Sequence, residues 1–107
     1  MTFRVVMLHS AKSDLKDIKS YLIGQFSTST WQHTYESLKQ ALRCLETLPY
    51  AGPVPEEIER LNLIQYRQVV SGMNRIIYEI RDNTVYIHII ADTRKNLQAL
   101  LLKRLMK

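Results

Sequence analysis

The chain has 107 residues, of which 46% are hydrophobic and 23% charged, so length and composition predict a single globular domain spanning residues 1–107. Its single cysteine, Cys44, excludes an internal disulfide and fits a reducing compartment, so we expect a cytoplasmic protein with this thiol in its core. No apolar run is long enough to predict a signal peptide or a membrane span.

The net charge of +5 is unevenly distributed along the chain. Residues 1–59 contain six Lys/Arg and seven Asp/Glu, a balance of −1, whereas residues 60–107 contain nine and three, a balance of +6. A basic C-terminal half favours an anionic partner, either nucleic acid or an acidic polypeptide. It is equally typical of the solvated surface of an ordinary basic protein.

The first half of the chain predicts a strand followed by two helices. Phe3–Leu8 is β-branched and apolar, as strands are, and Ser10 is placed to cap the helix that follows. The segment Ser27–Thr30 ends this helix and begins a second one, in which Ser29 and Gln32 match a capping box. Two helices joined by so short a link predict an αα-hairpin.

A proline-rich loop is predicted after the hairpin. The stretch "LPYAGPVPEEIERLN" contains three prolines within seven residues, which disfavours both a helix and a central strand. Its acidic residues Glu56, Glu57 and Glu59 lie close together, but no histidine or fourth carboxylate is near them. We therefore interpret them as solvated, and we predict neither a metal site nor a cofactor.

The second half predicts three strands and a final helix. Strands are expected at Ile64–Val70, Arg75–Ile80 and Thr84–Ala91, joined by tight turns at Gly72 and at Asp82–Asn83. The order β-α-α-β-β-β-α predicts the α+β class: a small antiparallel sheet with the helical hairpin on one face and a C-terminal helix.

Alternation of side chains along the strands separates an apolar face from a charged one. With a turn at Asp82–Asn83, Glu79 faces Tyr86 and Ile77 faces His88. The face expected under the helices holds Ile76, Tyr78, Ile80, Val85, Ile87 and Ile89. The other face is expected to be uncovered and holds Arg75, Glu79, Arg81, Tyr86 and His88. A slip of one residue in the first hairpin would move Arg67 between the faces, so its side stays open.

Two arginines are expected to meet at one end of the sheet. Arg75 begins its strand, and Arg94 follows the last strand at the start of the final helix, where free N–H groups favour an anion. Guanidinium groups bind phosphate or carboxylate through two hydrogen bonds, so Arg67, Arg75 and Arg94 are candidate anion-binding residues. The alternative is that they pair internally, for example with Glu79 or Asp92.

His88 is the candidate acid–base residue of this region and joins the predicted anion-binding set. The alternative is an ordinary surface or packing histidine. His9 and His33 lie on separate elements with no cysteine or carboxylate at ligand spacing, which also argues against a metal site.

Two stretches together carry a family resemblance: "SAKSDLKDIKSYL" and "YRQVVSGMNRIIYEIRDNTVYIHIIADTRKNLQALLLKRL". In element order and in the framework "YR…RIIYEI…DTR", nearly the whole chain resembles the RelE/ParE superfamily of bacterial toxins. The resemblance implies a toxin of a type II toxin–antitoxin module, bound by a cognate antitoxin, causing growth arrest and serving plasmid stabilisation.

The superfamily has two branches with different targets. RelE-like members cut mRNA on the ribosome, whereas ParE-like members inhibit DNA gyrase and are not enzymes. Matched to the RNase branch, Arg75 and Arg94 fall on its phosphate-holding arginines and Arg67 on a basic strand residue. Val69 replaces its second basic residue, and Leu100 replaces its C-terminal tyrosine. These departures favour the ParE-like branch; an mRNA endonuclease and an inactive corepressor that binds only antitoxin and DNA are the alternatives.

The last helix is the candidate antitoxin-binding surface. It has more apolar residues than one packing stripe requires, namely Leu100, Leu101, Leu102, Leu105 and Met106. An acidic, initially disordered antitoxin could fold over this surface and over the basic half of the chain. The alternative is that these side chains simply close the edge of the core.

Overall fold

The computed structural model describes residues 2–106, which form four helices, a short 3₁₀ turn and four strands. The elements follow in the order β1 (Arg4–Met7), α1 (His9–Gln25), α2 (Thr28–Leu45), the 3₁₀ turn (Pro49–Ala51), α3 (Glu56–Glu59), β2 (Tyr66–Ser71), β3 (Asn74–Arg81), β4 (Thr84–Asp92) and α4 (Leu97–Leu105). Within residues 2–106, no helix has the length and apolar character needed to cross a membrane. The predicted α+β class is confirmed.

The four strands form one mixed sheet in the order β1-β4-β3-β2. Strands β2, β3 and β4 make the predicted antiparallel meander. The prediction of a purely antiparallel sheet is wrong for one strand. β1 pairs with β4 in parallel, with Val5 opposite Val85 and Met7 opposite Ile87. A parallel pair requires a long connection between its strands, and here every other element of the sheet and both hairpin helices lie between them in sequence.

A β-bulge at His88 changes the predicted register of β3 and β4. Near the turn, Glu79 faces Tyr86 as predicted, but Tyr78 pairs with Ile87 and Ile77 pairs with Ile89. The predicted pairing of Ile77 with His88 is therefore wrong, because His88 is the extra residue of the bulge. Beyond this point the side chains of β4 change face, so Ile89 leaves the face on which it was predicted.

The helical hairpin covers one face of the sheet, as predicted. Its core consists of side chains from α1, α2, β3 and β4, namely Ala11, Leu38, Leu45, Ile76, Tyr78, Val85, Ile87 and Ile90. In the strands these positions recur at two-residue spacing up to the bulge, and the two positions in α2 lie seven residues, or about two helical turns, apart. The alternation along β3 and β4 is why the sequence predicted four of these residues.

The second face is also covered, so the prediction of an open face is wrong. Residues of α3 and α4 pack onto it and form a second core, made of Ile58, Tyr66, Ile77, Ile89, Ala91, Leu97 and Leu101. The proline-rich segment was expected to be a solvated loop, but Pro55 precedes the single turn of α3 and places Ile58 in this core. The sheet therefore lies between two helical layers.

Three helix starts and the cysteine differ from the predictions. Helix α1 begins at His9, and Ser10 does not cap it but donates a hydrogen bond of 3.2 Å to the carbonyl of His88. The cap of α2 is Ser27, which accepts from the backbone N–H of Thr30. Asn96 caps α4. Cys44 is exposed, so the expected core thiol is wrong.

Candidate functional site

Arg75 is buried on the second face of the sheet, with 6% of its surface exposed. Its Nη1 donates to Glu57 Oε1 at 3.1 Å and to Gln68 Oε1 at 3.3 Å. Its Nη2 donates to Glu57 Oε2 at 3.3 Å and to the carbonyls of Thr93 and Lys95 at 3.4 and 3.0 Å. One guanidinium thus joins β2, β3, α3 and the turn before α4.

These contacts bear on two expectations. Glu57 is exposed as predicted, with 42% of its side chain accessible, but its carboxylate also holds Arg75 by two hydrogen bonds that were not predicted. Arg75 was expected to face solvent, but both of its terminal nitrogens already bond protein oxygens, and only the buried Nε lacks a partner among the described residues. A ligand phosphate at this guanidinium would have to displace Glu57.

Arg94 lies in a different environment from Arg75. Its side chain is 76% exposed, and it pairs with Asp92, whose Oδ2 lies 2.8 Å from Nη2 and whose Oδ1 lies 2.9 Å from Nε. The hydrogen bond from the Arg94 side chain, with help from the Arg94 backbone N–H, lowers the pKa of Asp92 to about 2. Arg94 was predicted at the start of the final helix, but it belongs to the turn before α4, whose N-cap is Asn96.

Arg67 lies on the same face of the sheet as Tyr78, opposite to the face of Arg75. Its Nη1 donates to the carbonyls of Tyr50 and Gly52 at 3.2 and 2.7 Å, and its guanidinium lies 5.2 Å from the centroid of the Tyr50 ring. The side that sequence left open is thereby settled, and Arg67 holds the segment after α2 against β2. Arg67, Arg75 and Arg94 are not brought together in one site.

His88 belongs to a small polar cluster near the β3–β4 turn. Its Nε2 lies 2.9 Å from Glu79 Oε1, and its ring meets Tyr66 edge to face at 5.1 Å between centroids. Glu79 also accepts two hydrogen bonds of 3.0 Å from Arg81. Burial acts to raise the pKa of Glu79, but the hydrogen bonds from Arg81 and His88 outweigh it and lower the pKa. Anion binding by His88 stays a prediction.

An open groove of about 860 Å³ lies between the helical hairpin and the end of the sheet that carries the β2–β3 turn. Apolar side chains of both walls enter it, including Tyr21, Phe26 and Met73, each of which is more than half exposed. Arg94 and Arg104 line it as well. The described residues contain no group of three or more His, Cys, Asp or Glu that could hold a metal ion.

Helix α4 divides the predicted antitoxin-binding residues into two sets. Leu101 is 1% exposed and packs in the second core, so it must be removed from the exposed set, and Leu100 is half-buried against the same core. Leu102, Leu105 and Met106 are 61%, 55% and 79% exposed. A two-sided apolar helix of this kind packs on one side and offers the other, and antitoxin binding by the exposed side stays a prediction.

Sequence reasoning missed an ion pair that joins the two ends of the chain. Asp14 of α1 accepts from the backbone N–H of Ile90 at 3.0 Å and from Arg104 Nη2 at 2.6 Å. Arg104 Nη1 also donates to the carbonyl of His88 at 2.8 Å. The partners lie 90 residues apart, and no local pattern could have found them. The contact fixes α4 against α1 beside the bulge.

The chain is similar to a known protein family in sequence and to known structures in fold. A family model described as the ParE toxin of the type II toxin–antitoxin system parDE matches residues 5–97. The chromosomal ParDE toxin–antitoxin system of P. aeruginosa is similar in fold, with a TM-score of 0.72 at 12% identity over 85% of this chain and 96% of that chain. The toxin–antitoxin complex RelBE2 of Mycobacterium tuberculosis has a TM-score of 0.58 at 20% identity, over 86% and 99%. No curated protein sequence matches the chain.

Proposed function

Because the chain belongs to the ParE toxin family of type II toxin–antitoxin systems, we propose that it arrests growth by inhibiting DNA gyrase and that a cognate antitoxin neutralises it. The family match spans residues 5–97, which includes both hairpin helices and all of the sheet except Arg4. Gyrase is proposed as the target because ParE-like members of the superfamily inhibit it. The proposal therefore describes a binding inhibitor and requires no catalytic residue.

The burial and the hydrogen bonds of Arg75 support the ParE-like branch over the RNase branch. Attack of a ribose 2′-hydroxyl on its phosphate needs cations that are free to hold the developing charge. Arg75 is buried, and both of its terminal nitrogens bond Glu57, Gln68 or backbone carbonyls. This guanidinium serves the fold, which leaves Arg94 as the exposed member of the pair expected to hold phosphate.

Val69 and Leu100 also support the ParE-like branch. Val69 packs against the first core, on the opposite face from Arg75, so β2 offers no second cation beside that arginine. Leu100, which falls where the RNase branch has its C-terminal tyrosine, is apolar and packs against the second core. A group able to take a proton is therefore missing from that position.

The exposed side of α4 is the surface we assign to the antitoxin. Leu102, Leu105 and Met106 project from the last turns of the helix, and Lys103 is exposed between them. Apolar anchors beside a cation suit an acidic amphipathic segment that orders on binding. Its binding would cover the target-binding surface or restrict it, and either event would neutralise the toxin.

The decisive experiment measures supercoiling and translation side by side. The chain is induced without antitoxin, and the purified chain is added to gyrase and to a translation extract. We expect loss of supercoiling activity and accumulated DNA cleavage, while translation continues at first. Arg94→Ala serves as the matched variant because Arg94 is exposed, and gyrase inhibition should not require it as a phosphate ligand.

Other results would assign a different function. Rapid loss of translation with cleaved transcripts, abolished by Arg94→Ala, would overturn gyrase inhibition in favour of an mRNA endonuclease. Absence of any growth arrest, with antitoxin binding intact, would identify an inactive corepressor instead.

A further inference from the structure

The outer face of the helical hairpin gathers cations that lie far apart in sequence. Lys12, Lys16 and Lys19 follow one another at intervals of four and three residues, so they form one exposed stripe along α1. Lys39 and Arg43 are four residues apart on α2. These five residues are all but one of the six Lys/Arg in residues 1–59, a segment whose summed charge is −1.

An aromatic pair joins the two stripes into one surface. Trp31 and Tyr35 of α2 stack with their centroids 5.1 Å apart. The ammonium of Lys19 lies 6.0 Å from the Trp31 ring, and that of Lys39 lies 4.8 Å from the Tyr35 ring. The contact places Lys19 beside the first turn of α2, so Lys16 and Lys12 continue alongside the later turns of α2 in the hairpin.

Five of the seven acidic residues of this half lie away from these cations; Glu36 lies among them, and Glu46 follows at the end of α2. Asp14 pairs with Arg104, and both Asp14 and Asp17 line the groove on the other side of α1. Glu56, Glu57 and Glu59 belong to α3 on the opposite side of the sheet. Glu36 lies among the cations, but Lys39 holds it at 2.9 Å. Folding therefore gathers five cations beside Glu36, so the hairpin surface is positive although the segment as a whole is nearly balanced.

We infer that this hairpin surface binds the phosphate backbone of duplex DNA without reading its sequence. Lys12 to Lys19 span about 10 Å along the helix axis, the length of about three base-pair steps along a duplex axis at about 3.4 Å each. Lysines act as mobile point charges and suit a phosphate row better than they suit one fixed carboxylate. The inference goes beyond the proposed function and does not depend on gyrase as the target.

The composition of the surface favours DNA over a protein partner. A protein interface needs apolar side chains at its centre that desolvate on contact. Here the aromatic rings stack on each other and have cations over them, so they do not offer a free apolar anchor.

The test measures the salt dependence of binding with a labelled 20-base-pair duplex of arbitrary sequence. With about 0.9 counterions released per phosphate contact, five cations predict a slope of about −4.5 in log K against log salt. Affinity should then fall about 500-fold between 50 and 200 mM NaCl. The triple variant Lys12→Gln, Lys16→Gln, Lys19→Gln should reduce the slope to about −2.

A variant of equal net charge supplies the control. Arg60, Lys95 and Lys103 are exposed on other surfaces, and their simultaneous change to Gln should leave the slope near that of the parent chain. Equal losses in both triple variants would show a bulk charge effect and overturn the inference, as would absence of DNA binding at 50 mM salt. Equally tight binding of a labelled polyglutamate would assign the surface to acidic polypeptides instead. If the triple variant melts early, Lys16→Gln alone tests the same surface through a slope change of about 0.9.

Discussion

The carboxylate of Glu57 holds the guanidinium of Arg75 through two hydrogen bonds, from Nη1 to Oε1 at 3.1 Å and from Nη2 to Oε2 at 3.3 Å. Glu57 lies in the single turn of α3, and Arg75 lies near the start of β3. The pair fastens the segment after the prolines to the sheet. It also removes Arg75 from the set of cations that are free for a ligand.

Arg75→Lys should destabilise the protein by about 1–3 kcal/mol, because an ammonium cannot satisfy the carboxylate, the Gln68 amide and two carbonyls in one plane. Urea unfolding measures the change. Arg81→Lys on the same strand is the control, since Arg81 is exposed and its replacement should leave the urea midpoint nearly unchanged. Equal effects of the two variants would contradict a structural role for Arg75.

Gly52→Ala should destabilise the protein by about 1–3 kcal/mol, because a methyl group at this position would collide with the Tyr78 hydroxyl and the Gln68 carbonyl. The collision also disturbs the 2.6 Å hydrogen bond from Tyr78 to the carbonyl of Pro49. Gly24→Ala provides the control, since nothing lies within 4 Å of a methyl group there and alanine favours the helix by about 0.5–1 kcal/mol. Thermal melting should therefore shift in opposite directions for the two variants.

The contribution of Asp92 to the stability of the folded protein should change only at low pH. Its pKa falls from 3.8 to about 2 on folding, chiefly through the Arg94 side chain, so the folded state favours the ionised carboxylate. The stabilisation is complete above pH 4 and is lost as the pH falls toward 2. Asp92→Asn should therefore be less stable than the parent chain at pH 6 and nearly equal to it at pH 2. Urea unfolding at both values checks this, and a constant difference would contradict the assignment.

Asp14→Asn should loosen α4, because Asp14 bonds both Arg104 and the backbone of Ile90. Loss of a charge-assisted hydrogen bond to a partly buried arginine costs about 1–3 kcal/mol. Hydrogen exchange should show faster exchange in residues 97–105 than in the hairpin core. Asp17→Asn, one turn further along α1 and exposed, is expected to leave the exchange of α4 unchanged.

Leu102→Ala and Leu105→Ala together should weaken binding of the cognate antitoxin while changing stability by less than about 1 kcal/mol, because both side chains are exposed. Leu101→Ala should instead cost about 2–5 kcal/mol, because its side chain fills the second core. Co-purification with the antitoxin and thermal melting separate the two effects. Full antitoxin affinity in the double variant would remove α4 as the binding surface.

Sequence alone determined the element order, the helical hairpin and the meander, because these depend on short-range periodicity and on turn residues. It also identified the family, through a framework spread over nearly the whole chain. The same periodicity predicted most strand residues of the first core, because each of its strands has one apolar face. The exposed side of α4 was visible in part, as an excess of leucine beyond one stripe.

Only the tertiary structure decided where the charged groups lie. The bulge at His88 reverses the facing of β4, α3 and α4 cover the face predicted to be open, and Glu57 engages Arg75 from 18 residues away. The lysines of α1 likewise join Lys39 and Arg43 only because the hairpin folds back on itself. A guanidinium takes the partner that folding brings within about 3 Å, and for Arg75 and Arg104 that partner is distant in sequence, whereas Arg94 pairs with its near neighbour Asp92.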